Sequence, residues 1–185
     1  IGEPAPSGAP VGLPQFFWIW APVCFDGFST HFDVNEFGDG RRWHDVGASV
    51  EHGAEADMMR AVDWRVRWHP GTRYADAFEY DLHDWNGGVT TVVLEPLYNF
   101  QMSGIGYGHP RWTHGAWRGE CEVGSERVDL PVTDPLTRES VHVQTVCKAT
   151  CTRPDGSTHH GTGILELLCI GPHPTGLTGV LDPYD

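Results

Sequence analysis

From Val62 the chain alternates strictly. Val62, Trp64, Val66 and Trp68 are opposed by Asp63, Arg65, Arg67 and His69, the pattern of a strand with one face in a core and the other in water. The same period of two runs from Ser29 to Phe37, placing His31, Asp33 and Asn35 on one face and Phe32, Val34 and Glu36 on the other. Tyr74, Phe78, Tyr80 and Leu82 continue a further strand toward Trp85. Aromatic and β-branched residues between Gln15 and Phe25 predict another, with Pro22 marking a bulge, a bend or an edge. Further strands are predicted over 41–50, 89–94, 117–123, 142–151 and 163–170, and a loop over 51–59.

Turn residues punctuate this pattern. Asp26-Gly27, Gly38-Asp39-Gly40, Pro70-Gly71-Thr72, Asn86-Gly87 and Asp155-Gly156 each fall between predicted strands. Roughly nine or ten strands joined mostly by short turns, with little helix, predict an all-β antiparallel barrel or strongly curved sandwich, because closure removes exposed edges. No internal repeat of fixed period argues for a propeller. Residues 1–14, rich in Pro and Gly, read as a flexible linker or arm; 15–175 read as one β domain and 176–185 as a C-terminal tail.

Composition narrows the partners. The 185 residues carry 12 Lys+Arg against 25 Asp+Glu, a net charge of −13, which repels phosphate backbones and anionic lipid surfaces. Eight tryptophans and eight phenylalanines need a large core or an apolar ligand to cover them. No apolar run approaches the roughly 18 residues of a membrane span, and the start at Ile1 reads as a processed product or a fragment. Five cysteines, odd in number and sparse, argue against a disulfide framework and for reduced thiols in a cytoplasm. Cys147 and Cys151 have three residues between them, which suits buried small hydrophobes better than a zinc knuckle.

The stretch from Tyr98 to Gly119 holds five glycines, two histidines and two tryptophans. Such a mixture packs poorly as plain core and suits the lining of a ligand site. Gly104, Gly106 and Gly108 alternate with larger residues, but Pro110 and the aromatic run after it do not suit a phosphate-cradling loop. His109 and His114 can exchange protons near neutral pH. Tyr107, Met102, Trp112 and Trp117 would line the same space. A second grouping is His31 with Asp33, side by side on one strand face and followed after the turn by Trp43-His44. The His-x-Asp spacing is not specific for a metal, and neither Ser29 nor Ser103 lies in a nucleophile elbow. No cofactor is called for.

Trp20-Ala21-Pro22, the run His31 to Glu36, Asp39-Gly40-Arg41, the run Gly104 to Pro110, Trp112, His114-Gly115, His142-Val143-Gln144 and Leu165-Glu166 together resemble the lipocalin-like superfamily of carotenoid 1,2-hydratase and its AttH-type relatives. They match most closely a bacterial branch of that group, over most of residues 16–172. The resemblance implies a lipocalin-like (calycin-type) β-barrel that binds an apolar ligand and, in some members, acid-catalysed hydration or ring closure. It also implies two β units of roughly 150 residues each, of which this chain resembles the second. Either a homodimer or a partner β domain supplies the rest, or the first unit was lost, or this unit works alone.

These observations lead to an expected enzyme, a hydratase, dehydratase or cyclase, acting on a hydrophobic unsaturated small molecule such as a terpenoid, polyketide or steroid-like compound. Protonating an alkene needs an acid, aromatic faces for the cation and a base that directs water. Asp33 is the expected acid, His31 its partner and His109 or His114 the base, with Tyr107 beside them. Trp18, Trp20, Trp112, Trp117 and Met102 form the wall, and Glu36 and Glu166 are reserve carboxylates. The competing expectation is a non-catalytic carrier of an apolar small molecule.

Overall fold

A computed structural model describes residues 15–101, 111–112, 116–125, 127, 129, 136–137 and 140–185. The described elements are strands: β1 Phe16–Trp20, β2 Val23–Phe25, β3 Phe28–Glu36, β4 Arg42–Glu51, β5 Asp57–Met58, β6 Ala61–Trp68, β7 Ala75–His83, β8 Val89–Gln101, β9 His142–Thr152 and β10 Thr158–Ile170. They form one antiparallel sheet in the order β5-β4-β3-β1-β10-β9-β8-β7-β6, with β2 continuing β1 between β10 and β3. This is the all-β barrel-like architecture that the alternation and turn residues predict. Asn86-Gly87 and Asp155-Gly156 make the β7–β8 and β9–β10 turns as expected.

The sheet curls until its two ends meet. Met59 N donates to Gly47 O at 2.9 Å, and the Arg42 guanidinium donates to the carbonyl of Val62. The chain from Asp57 to Ala61 crosses the seam, pairing with β4 through β5 and Met59 and passing to β7 where Arg60 N donates to His83 O at 2.8 Å. A Cβ at Gly47 would lie 2.5 Å from Val62 Cγ1 and 2.9 Å from Leu82 Cδ2, so β4 and β6 approach this closely only over a bare Cα. A second close approach occurs where Pro22 bends β1 into β2, because a Cβ at Gly163 would sit 2.8 Å from the Pro22 carbonyl. A cavity of about 90 Å³ remains at the seam, lined by Asp45, Gly47, Met58, Met59 and Val62 among others.

Alternate residues of each strand fill the interior. Phe17 and Ile19 of β1, Phe32 and Val34 of β3, Phe78, Tyr80 and Leu82 of β7, Val92 and Leu94 of β8, and Leu165 and Leu167 of β10 are buried in one cluster. Phe32 stacks on Tyr80 at 5.0 Å and meets Phe78 edge-on at 5.5 Å. Tyr80 shares a hydrogen bond with Thr30 at 2.8 Å, and burial pushes its phenol well above its ordinary value. Cys147 and Cys151 are buried in the same interior, and desolvation pushes their thiols up to about 12 and about 11.

Several elements depart from expectation: β5 forms at Asp57–Met58 inside the predicted loop 51–59, and β10 begins at Thr158 rather than 163. The strand predicted to stop near Leu94 runs on to Gln101, because an irregularity in the register between Pro96 and Tyr98 accommodates a residue with no N–H to give. The strand predicted over 117–123 is absent from the described residues 116–125, where Trp117 is 81% and Val123 86% exposed. Alternation alone does not make a strand; a ladder partner is needed. The β8 and β9 strands that this segment connects are already paired with each other.

Candidate functional site

The predicted site residues of β1, β3 and β10 divide between the two faces of the sheet. Glu36 points inward. Trp18, Trp20, His31, Asp33 and Glu166 share the outer face, opposite in phase to the buried Phe17, Ile19, Val34 and Leu165. Their order follows from the register. Asp33 pairs with Trp20, Trp20 with Glu166, Glu166 with Gln144 and Gln144 with Phe100. The next row runs His44, Asn35, Trp18, Leu168, His142. With strands about 4.8 Å apart, the backbones carrying Asp33 and Glu166 lie about 10 Å apart with Trp20 between them.

Each carboxylate takes an imidazole from the second row. His44 Nε2 lies 3.2 Å from Asp33 Oδ2, and Trp18 Nε1 donates to Asp33 Oδ1 at 2.8 Å. His142 Nε2 lies 2.7 Å from Glu166 Oε1, and Gln144 Nε2 donates to Glu166 Oε2 at 2.8 Å. The second pair is the more enclosed, with side-chain exposures of 6% for His142 and 7% for Glu166 against 40% for His44 and 20% for Asp33. Low exposure strengthens such a charge-assisted bond and makes loss of either partner costly. The arrangement is two imidazole–carboxylate pairs flanking two indoles.

Asp33 is therefore not partnered by His31, as expected from sequence. Residues i and i+2 on one strand stand about 7 Å apart, whereas cross-strand neighbours come closer. His31 instead meets Trp20 edge-on at 6.2 Å. Trp117 is exposed, and Trp112 is half-buried beneath the Arg111 guanidinium at 5.1 Å. Met102, Tyr107, His109 and His114 lie outside the described residues. Gln101 and His142, which bound their connection, belong to neighbouring strands paired at Gln101–Val143.

Glu36 belongs to another cluster at one end of the barrel interior. It accepts bonds from Arg42 Nε at 3.1 Å and Trp64 Nε1 at 3.0 Å, and its Oε2 lies 3.0 Å from His173 Nε2. Burial raises its pKa, but these three donors together outweigh it and hold the carboxyl below its ordinary value.

Sequence reading did not assign roles to His142, Gln144, Arg42, Trp64 and His173. A usable signal existed for one of them: folding the chain back about the Asp155-Gly156 turn sets Gln144 opposite Glu166, with His142 two residues away on the same face. No local signal ties His173 to Glu36, since they are 137 residues apart. Among the described residues no group of three or more His, Cys, Asp or Glu is arranged to hold a metal ion, and no helix is long and apolar enough to cross a membrane.

No curated protein and no solved structure matches the chain. The model of a family of unknown function, DUF8625, matches residues 1–178, and the chain belongs to that family.

Proposed function

Membership of that family fixes no chemistry, and from the geometry we propose an enzyme that moves protons on a hydrophobic, unsaturated small molecule lying over Trp20. The class of reaction is hydration, dehydration or cyclisation, and the substrate is a terpenoid, polyketide or steroid-like compound. One observation carries the reading: Asp33 and Glu166 stand in one cross-strand row on either side of Trp20, each bonded to a histidine. In this scheme the proton held between Glu166 and His142 goes to the alkene carbon. The indole faces of Trp20 and Trp18 stabilise the cation that forms, and the Asp33–His44 pair takes a proton from the attacking water. A backbone separation of about 10 Å sets acid and base on opposite flanks of the Trp20 indole. The resemblance to carotenoid 1,2-hydratase and its relatives supports the same class.

The carrier reading draws its support from the aromatic content and from the resemblance to lipocalin-like barrels that bind apolar ligands. An apolar cargo inside the barrel would compete with Phe32, Phe78, Tyr80 and Leu165 for the space they fill. The test is mass spectrometry of small molecules retained by the purified protein, followed by product analysis for each retained class. Asp33→Asn and Glu166→Gln are each expected to lower turnover at least about 100-fold with the fold intact. Retention of a ligand without conversion would establish the carrier instead.

A further inference from the structure

Beyond β10 the chain turns at Gly171, and residues 171–185 run back over the barrel end that holds Glu36. Among the described residues this segment enters no ladder. Within itself it is tied by the bridge His173–Leu177 and the bond Gly171 N to Val180 O, and its backbone bonds to the loop between β6 and β7 run from Gly71 N to Tyr184 O and from Tyr184 N to Thr72 O. Arg73, fully buried in the loop between β6 and β7, donates to the carbonyls of Cys169, Gly171, Thr178, Gly179 and Asp182. The hold is mainly polar. Leu177 is buried with the core, and Tyr184 and Leu181 are only partly covered.

Polar bonds are exchanged for bonds to water when such a segment lifts away, whereas β1 and β10 would also expose a large apolar area. Burial lowers the pKa of Arg73, so its charge is better solvated outside. Release of this segment thus costs less than release of β1 or β10.

Its His173 fills a defined slot. The imidazole lies 3.7 Å from the Phe17 ring at an interplanar angle of 13°, and 6.1 Å from Trp64 at 28°. Nδ1 faces Thr175, with Oγ1 at 3.0 Å and the backbone N at 3.4 Å, and Nε2 lies 3.0 Å from Glu36 Oε2, where a carboxylate accepts a ring N–H. Next to the slot is Trp68, in edge contact with Phe17 at 6.5 Å; its indole Nε1 is buried and has no hydrogen-bond partner. A buried donor without an acceptor is uncommon in a finished core.

We propose that residues 171–185 are a releasable strap, that His173 is an internal stand-in for a ligand, and that release opens the slot to a planar heteroaromatic molecule. Such a ligand would stack on Phe17 and Trp64, give a ring N–H to Glu36 and offer an acceptor to Trp68. This site is on the inner face of the sheet and independent of the Asp33–Glu166 row on the outer face.

Two measurements on the full chain test it. In His173→Ala the slot is vacated, and tens of millimolar imidazole should raise the melting temperature of that variant, leave the wild type unchanged, and lose its effect when Glu36→Gln is added. A folded His173→Ala indifferent to imidazole would overturn the proposal. Native-state hydrogen exchange of the wild type covers the case in which the variant does not fold. The amides of Gly71 and Tyr184, whose bonds join the strap to the loop between β6 and β7, should exchange at least about 100-fold faster than those of Ile19 and Leu167; equal protection would show a strap that opens only with global unfolding, and the idea would fail.

Discussion

Gly47→Ala tests the closure of the barrel directly. Its Cβ would stand 2.5 Å from Val62 Cγ1, 2.9 Å from Leu82 Cδ2 and 3.3 Å from Met59 Cβ. The first two atoms belong to side chains only 2% and 1% exposed, so neither can swing into water. Overpacking of this kind costs about 1–3 kcal/mol. Replacing glycine within a strand returns about 0.5–1 kcal/mol of backbone entropy. At the middle of these ranges the net loss is about 1 kcal/mol, which in a domain of this size lowers the melting temperature by roughly 2–4 °C. Urea unfolding followed by tryptophan fluorescence measures it. Val62→Ala removes the closest atom, so Gly47→Ala should cost less in that background than in the wild type, a non-additivity readable in a double-mutant cycle. A neutral or stabilising Gly47→Ala, or one equally costly in both backgrounds, would mean that β4 and β6 do not meet as described.

Two further outcomes are expected. Glu36 has a folded pKa below its ordinary 4.5, so its contribution to stability is complete above that pH and is lost as pH falls through the lower folded value. The gap in urea midpoint between wild type and Glu36→Gln should be widest near neutrality and shrink below about pH 4.5; a gap constant down to pH 3 would contradict this. Of the five cysteines, exposed Cys24 and Cys121 should react with a thiol reagent in the native protein, while buried Cys147, Cys151 and Cys169 react only on unfolding. Rapid labelling of more than two thiols without loss of structure would refute that burial.

The local pattern of the chain determined the strands, because a side-chain period of two and the chemistry of Asn-Gly and Asp-Gly turns act over a few residues. His31, Asp33 and Asn35 share a face, as do Phe32, Val34 and Glu36, and antiparallel pairing about the short turns follows. The faces of Asp33, Trp18 and Trp20 along their own strands follow from the same alternation, and the hairpin about Asp155-Gly156 sets Gln144 against Glu166. What only the tertiary structure decided is the set of relations that depend on pairing between distant segments. The register of β1 with both β3 and β10 put Asp33 and Glu166 on either side of Trp20, and cross-strand proximity gave Asp33 to His44 rather than His31. Curvature of the whole sheet brought Gly47 onto Val62, and the return of the C-terminal segment set His173 against Glu36. Alternation says which way each residue points; it cannot say what lies opposite, because that depends on which strand comes to lie alongside.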